Sequence, residues 1–158
     1  MDVTVKVEGL AEAERKLKLL PDRVGRRALR RALRRGANVI RNGARENFKR
    51  LDDPGTGENI ARNVVVQGMS AKRERSVGGV GMRVGVLGGS KSKTGSAATG
   101  GKGNPGGDTW YWRLLEFGTS TIAARAPMRK AMAAQAMGAY DAFANAAEGE
   151  IDKELGKL

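Results

Sequence analysis

Residues 22–50, DRVGRRALRRALRRGANVIRNGARENFKR, carry the longest helical pattern in the chain, and any fold must accommodate it. Leu29, Leu33, Ala37, Ile40, Ala44 and Phe48 recur at steps of three and four, which aligns them on one side of an α-helix. Arg23, Arg26, Arg27, Arg30, Arg31, Arg34, Arg41 and Arg45 gather to one side of that stripe. One face is therefore expected in the core, with an arginine ridge beside it. Such a ridge is either a solvated helix face or a surface turned toward DNA phosphates or an acidic subunit. Arginine in place of lysine, with few acids interleaved for i,i+4 pairs, favours the second. Gly36 and Gly43 on this helix mark close packing of a neighbour or a kink.

Around this helix the pattern changes several times. Val3, Val5 and Val7 alternate with polar residues as in a half-buried strand, and residues 10–20 can form a short helix before Pro21. Residues 51–59, LDDPGTGEN, are a turn cluster. The Val-rich segments 61–69 and 80–87 read as a hairpin whose connection, AKRERSVGG, makes a long basic tip. Gly81 and Gly85 weaken the second strand unless a bulge or another backbone lies there. Residues 88–108 are a Gly/Ser/Lys-rich loop, expected to be mobile in the isolated subunit and to order on assembly. Gly101, Gly103 and Gly106 fit G-x-G-x-x-G, but Pro105 interrupts the run and no βαβ unit surrounds it, so no dinucleotide site is assigned.

The scarce aromatic surface is concentrated near residues 110–128, WYWRLLEFGTSTIAARAPM. This stretch holds both tryptophans, one of the two tyrosines and one of the three phenylalanines of a chain that is 4% aromatic. Rings so gathered predict a packing centre. Trp110, Leu114 and Phe117 fall at helical spacing with Tyr111 and Leu115 beside them, and Gly118 stands where a helix ends. An extended crossing over 119–125 then leads to Pro127, a first-turn proline opening a last helix over 127–147. On that helix Met128, Met132, Ala136, Ala139 and Phe143 trace one face, a core face or a subunit contact, and residues 148–158 form a charged tail that continues the helix or frays.

With 158 residues, one domain is expected. No run is long and apolar enough to span a bilayer, and the N-terminus lacks a signal-peptide core. Without cysteine or histidine, the chain has no disulfide, thiolate or imidazole metal site, and no Ser-His-Asp arrangement. Asp52, Asp53 and Glu58 form the one close acidic cluster, and an Asp-rich turn is more often just a turn. No catalytic residue, cofactor or metal is therefore assigned. The net charge of +12 predicts attraction to polyanions or to acidic neighbours.

The run YWRLLEFGTSTIAARAPMRKA resembles the signature of the tailed-phage neck and tail-completion family, whose type member is gene product ten of a lambdoid phage. Glu116, Phe117, Gly118 and Thr119 match its Glu-Phe-Gly-Thr, and Ala124 and Arg125 match the Ala-Arg that follows. The chain departs from the family in placing Ala126, Pro127 and Met128 where Pro and Phe are usual. Pro54, Thr56 and Gly57 loosely resemble the family's Pro-x-x-Thr-Gly junction. The resemblance implies an α+β subunit, its long N-terminal and C-terminal helices packed on a small, mainly antiparallel sheet. It implies a structural protein of the virion's head-tail junction, assembled in the host cytoplasm as a homo-oligomeric ring of six. Double-stranded DNA would pass non-specifically through the lumen. The partners implied are a head-closure connector and a tail terminator or tail tube protein, with no membrane. Ring closure needs two different patches. One is expected at Trp110, Tyr111, Trp112, Glu116, Phe117, Gly118, Thr119, Arg125 and Pro127, with Arg125 as a clamp on a carbonyl or carboxylate. The other is expected at the long helix or the hairpin tip, and the basic face (Arg23, Arg26, Arg27, Arg30, Arg31, Arg34) meets DNA or acidic neighbours. The rival reading is a non-specific basic DNA-binding protein.

Overall fold

The computed structural model describes residues 10–52, 55, 57–87 and 104–158; the expected strand at Val3, Val5 and Val7, the turn residues Asp53, Pro54 and Thr56, and most of the 88–108 loop lie outside them. The described elements, in order, are α1 (Leu10–Leu19), α2 (Asp22–Lys49), α3 (Ile60–Asn63), β1 (Val64–Gly68), α4 (Ala71–Val77), β2 (Met82–Val86), α5 (Trp112–Phe117) and α6 (Pro127–Leu155).

Pro21 separates α1 from α2. Its φ of −53° suits a helix start, and its carbonyl accepts from Val24 N and Gly25 N at 2.8 and 3.0 Å. Helices α2 and α6, 28 and 29 residues long, each extend roughly 40 Å. They run antiparallel. Arg31 near the start of α2 reaches Glu150 and Glu154 near the end of α6, while Asn47 near the end of α2 donates to the Pro127 carbonyl at the start of α6.

The seam between them is lined with small residues. Ala28, Ala32 and Gly36 are buried on α2, and Ala131, Ala139 and Ala147 on α6, while buried Gly25 faces Leu17 and Leu20 at the end of α1. A Cβ at Gly36 would stand 2.6 Å from the Ala139 carbonyl oxygen, and one at Gly43 would stand 2.8 Å from Gln135 Cγ. These glycines serve close packing. That corrects the expected stripe, because Leu29, Leu33, Ala37 and Ile40 are only half-buried. Two backbones this close leave room for alanine and glycine on the contact line, and larger side chains move to its flanks. The face expected on α6 is also displaced. Met132 and Ala136 are exposed, and the buried line runs through Ala131, Ala139, Ala147 and Ile151. The charged tail continues the helix to Leu155.

Among the described residues the sheet is a two-stranded antiparallel hairpin with Val64 opposite Val86 and Gly68 opposite Met82. It is shorter than expected. Residues 60–63 wind into α3, because the Asn59 side chain accepts from Arg62 N at 3.0 Å and Asp52 Oδ2 from Ile60 N at 2.9 Å. Nor is the connection a long basic tip. It forms α4, begun by Ser70, whose hydroxyl accepts from Arg73 N, and ended at Gly78 with φ 68°. Gly85 has open space around it, and Gly81 is met by the Met69 side chain and not by another backbone.

Phe48, Ile60, Val64, Ala44, Ala61 and Ala131 form the buried cluster where the hairpin meets the helix pair. Val84, Val86, Tyr111, Trp112, Leu115 and Met128 pack on it from outside. The fold is α+β, with long helices carrying a small antiparallel sheet.

Candidate functional site

The aromatic turn divides between two environments. Tyr111, Trp112 and Leu115 pack on the core cluster, whereas Trp110 is 49%, Leu114 38% and Phe117 67% exposed. The turn therefore edges the core, whose centre is Phe48, and does not form the packing centre expected of it. The reason lies in helical spacing: residues 110, 114 and 117 share one side of the winding, and only the other side faces the sheet.

What holds the turn is its polar signature. Glu116 is buried, and its carboxylate accepts from the backbone N–H groups of Met128 (2.8 Å) and Arg129 (3.2 Å) and from Arg129 Nε (3.0 Å). It supplies an anion to the start of α6, whose own N-cap, Ala126 at φ 51°, offers no side-chain acceptor. Arg129 also donates to the Glu116 carbonyl and lies over the Phe117 ring, 5.5 Å from its centroid. Gly118 has φ 76°, and a Cβ there would stand 2.7 Å from the Ile122 carbonyl oxygen. Thr119 Oγ1 accepts from Thr121 N and Ile122 N, and the Leu115 carbonyl accepts from Arg125 N and Ala126 N.

Glu116, Gly118, Thr119 and Pro127 thus fasten the loop onto α6 within one subunit, while Trp110 and Phe117 turn outward. The guanidinium that clamps a carboxylate and a carbonyl belongs to Arg129, and Arg125 contributes its backbone N–H with its side chain exposed. Arg129 was missed in the sequence. Its available signal was a place in the first turn of a helix preceded by a buried acid, which spacing alone does not reveal.

The acidic turn is put to structural use. Asp52 caps α3, and Glu58 stands near enough to the Tyr111 hydroxyl to act on it; Asp53 lies outside the described residues. Among the described residues no three acids are grouped to hold a metal ion. Burial, followed by Asp52 and Glu58, pushes the Tyr111 hydroxyl up from 10.0 to about 12. Folding therefore favours the protonated phenol: its contribution is complete below the unfolded value and is lost as pH rises through about 12. Melting curves should show stability falling more steeply above pH ~10 in the parent than in Tyr111→Phe; parallel curves would count against this.

Asn63 ties the long connection at both ends. Its Nδ2 donates to the Gly107 carbonyl (2.9 Å) and Thr109 Oγ1 (2.8 Å), and its Oδ1 accepts from Gly106 N (2.7 Å). Its backbone carbonyl accepts from Leu87 N at 2.8 Å, and Thr109 Oγ1 donates to the Leu87 carbonyl. Gly106 passes so close that a Cβ would lie 1.9 Å from the Asn59 carbonyl oxygen. The last residues of the predicted loop, Gly106 and Gly107, are thus buried and fixed. Its residues 88–103 lie outside the described ones.

The basic ridge is partly compensated. Arg26 pairs with Asp22 (3.2 Å), Arg30 with buried Glu74 (2.5 Å), and Arg31 with Glu150 and Glu154 (2.9 Å each). The acids come largely from other elements, so local i,i+4 spacing could not foretell them. The Arg30 hydrogen bond holds the Glu74 carboxyl below its ordinary value. Arg23, Arg27, Arg34 and Arg35 are exposed, and none has an ion-pair partner among the described residues. By anchoring α4 through Glu74, Arg30 also brings exposed Lys72, Arg73 and Arg75 beside the ridge. The sequence left these as a separate tip. Arg45 instead turns inward, donating to the Val64 carbonyl.

No helix among the described residues is long and apolar enough to cross a membrane. No curated protein and no solved structure matches the chain. Residues 11–118, from α1 to the glycine that ends α5, match the family described as "Bacteriophage HK97-gp10, putative tail-component". The match takes in well over half of the sequence, including Glu116, Phe117 and Gly118, and the chain belongs to the HK97-gp10-like family of bacteriophage tail components.

Proposed function

We propose that this protein is a structural subunit of the phage head-tail junction, a neck or tail-completion component forming a ring of six around the DNA channel. Membership of a tail-component family makes it a virion protein. The finer position rests on the basic surface. Arg23, Arg27 and Arg34 on one side of α2 have no ion-pair partner among the described residues, lie next to the cations of α4, and suit a surface passing DNA phosphates or meeting acidic neighbours. In this reading, subunits assemble in the host cytoplasm and join a head-closure connector to a tail terminator or tail tube protein. DNA passes without sequence recognition.

Negative-stain imaging of the purified protein should show closed rings with a lumen wide enough for a duplex. In the ring, Arg23→Gln/Arg27→Gln/Arg34→Gln should flatten the salt dependence of DNA association by about one phosphate contact per arginine. A protein that stays monomeric yet binds DNA tightly and with steep salt dependence would favour the stand-alone DNA-binding reading.

A further inference from the structure

Two surfaces on opposite halves of α6 complement one another. On the first, Leu114 and Phe117 lie on the outer side of α5 and Trp110 in the turn that leads into it, at i+4, i+7 and i, and Ile122, 53% exposed, adjoins them across the Gly118 turn. This is the spacing of a helix that lays its apolar side into a groove. Its surroundings are cationic: Arg113, Arg125 and Lys130 are exposed, and none has an ion-pair partner among the described residues.

On the second surface, α1 leans on the latter half of α6 and leaves a groove of about 470 Å³. Leu17, Leu29, Tyr140 and Phe143 form its apolar lining. Its rim carries Glu12, Glu14 and Glu148; Lys16 is shared between Glu12 (3.4 Å) and Asp152 (2.9 Å), and Lys18 pairs with Glu14 (2.8 Å), which leaves the rim with more acids than cations and Glu148 as the acid open to a partner. Glu148 has no ion-pair partner among the described residues. An acidic rim around an apolar groove is unusual in a chain of net charge +12 and matches the cationic surroundings of the stripe.

The two surfaces cannot meet within one subunit. Arg129, which anchors the α5 turn, and Ala144 in the groove are separated by roughly 22 Å along one continuous helix. We infer that the α5 stripe of one copy seats in the α1/α6 groove of the next, giving the head-to-tail contact by which copies of this chain join. Different patches on the two partners make the contact heterologous, the kind that closes rings. This deepens the proposed function by naming its self-contact, and it rests on that reading.

The chain has no cysteine, so introduced thiols report alone. One population carries Ser120→Cys and another Ala144→Cys; the first site is exposed beside the stripe and outside it, and the second is a small change in the groove lining. Mixed and treated with a short thiol-to-thiol crosslinker, they should yield the 120–144 heterodimer. Either population alone should yield none. Glu148→Arg should weaken self-association about tenfold or more, and adding Arg113→Glu should restore much of it. Trp110→Ala should fold, with an unchanged circular dichroism spectrum, and fail to assemble. Rings that form without the 120–144 link would overturn this contact while leaving the ring reading intact. A 120–120 link would mean a two-fold contact and overturn it as well. A chain that stays monomeric at any concentration would overturn both.

Discussion

Gly36→Leu should destabilise the protein by about 3 kcal/mol or more, because the obstacle at that position is backbone. The new Cβ would lie 2.6 Å from the Ala139 carbonyl oxygen and 3.1 Å from Phe143 Cβ, and neither α2 nor α6 can move aside without opening the seam along its length. For a chain of this size the melting midpoint should fall by roughly 6–12 °C. Gly149→Ala on α6 is the control: it has open space where the Cβ would go and should gain about 0.5–1 kcal/mol from helix propensity. Equal midpoints for Gly36→Leu and the parent would mean that the helices do not approach as described.

Glu116→Ala should lower stability by roughly 3 kcal/mol, since it removes a buried acceptor from two backbone N–H groups and a guanidinium. The damage should be local at first. Amide exchange at Met128 and Arg129 should quicken before the rest of α6 responds, because those donors lose their partner at a helix start that has no other cap. Glu116→Gln keeps an acceptor oxygen without the charge and should cost about half as much. Unchanged exchange at both amides in Glu116→Ala would refute the capping role.

The two mutations also separate what the sequence disclosed from what it hid. The helix at 22–50, the stop at Gly118 and the restart at Pro127 were legible because each is dictated locally, by periodicity, by a residue tolerant of positive φ, and by a ring that fixes φ. Which side of a helix is innermost was not. Counting apolar residues selects the bulkiest, whereas Ala28, Ala32 and Gly36 line the seam because of the distance between two backbones remote in sequence. The short α3 and α4 were hidden likewise, since valine-rich and charged segments became helical through caps at Asn59, Asp52 and Ser70. At the site, the aromatic residues were identified but their orientation was not. Glu116 was conspicuous as part of a signature, yet its partner Arg129 was set by the return of the loop, information that no pattern of spacing contains.

The clasp at Asn63 has a bearing on engineering and on natural variation. Because Leu87, Gly106, Gly107 and Thr109 are all secured to that one residue, the positions flanking 88–103 on both sides are held at a single post. Doubling the stretch between those moorings adds only about 0.6 kcal/mol of closure entropy. A peptide tag grafted between residues 88 and 103 should therefore be carried with little change in melting midpoint, whereas Asn63→Ala would release Gly106, Gly107 and Thr109 and leave only the backbone bond to Leu87 in place.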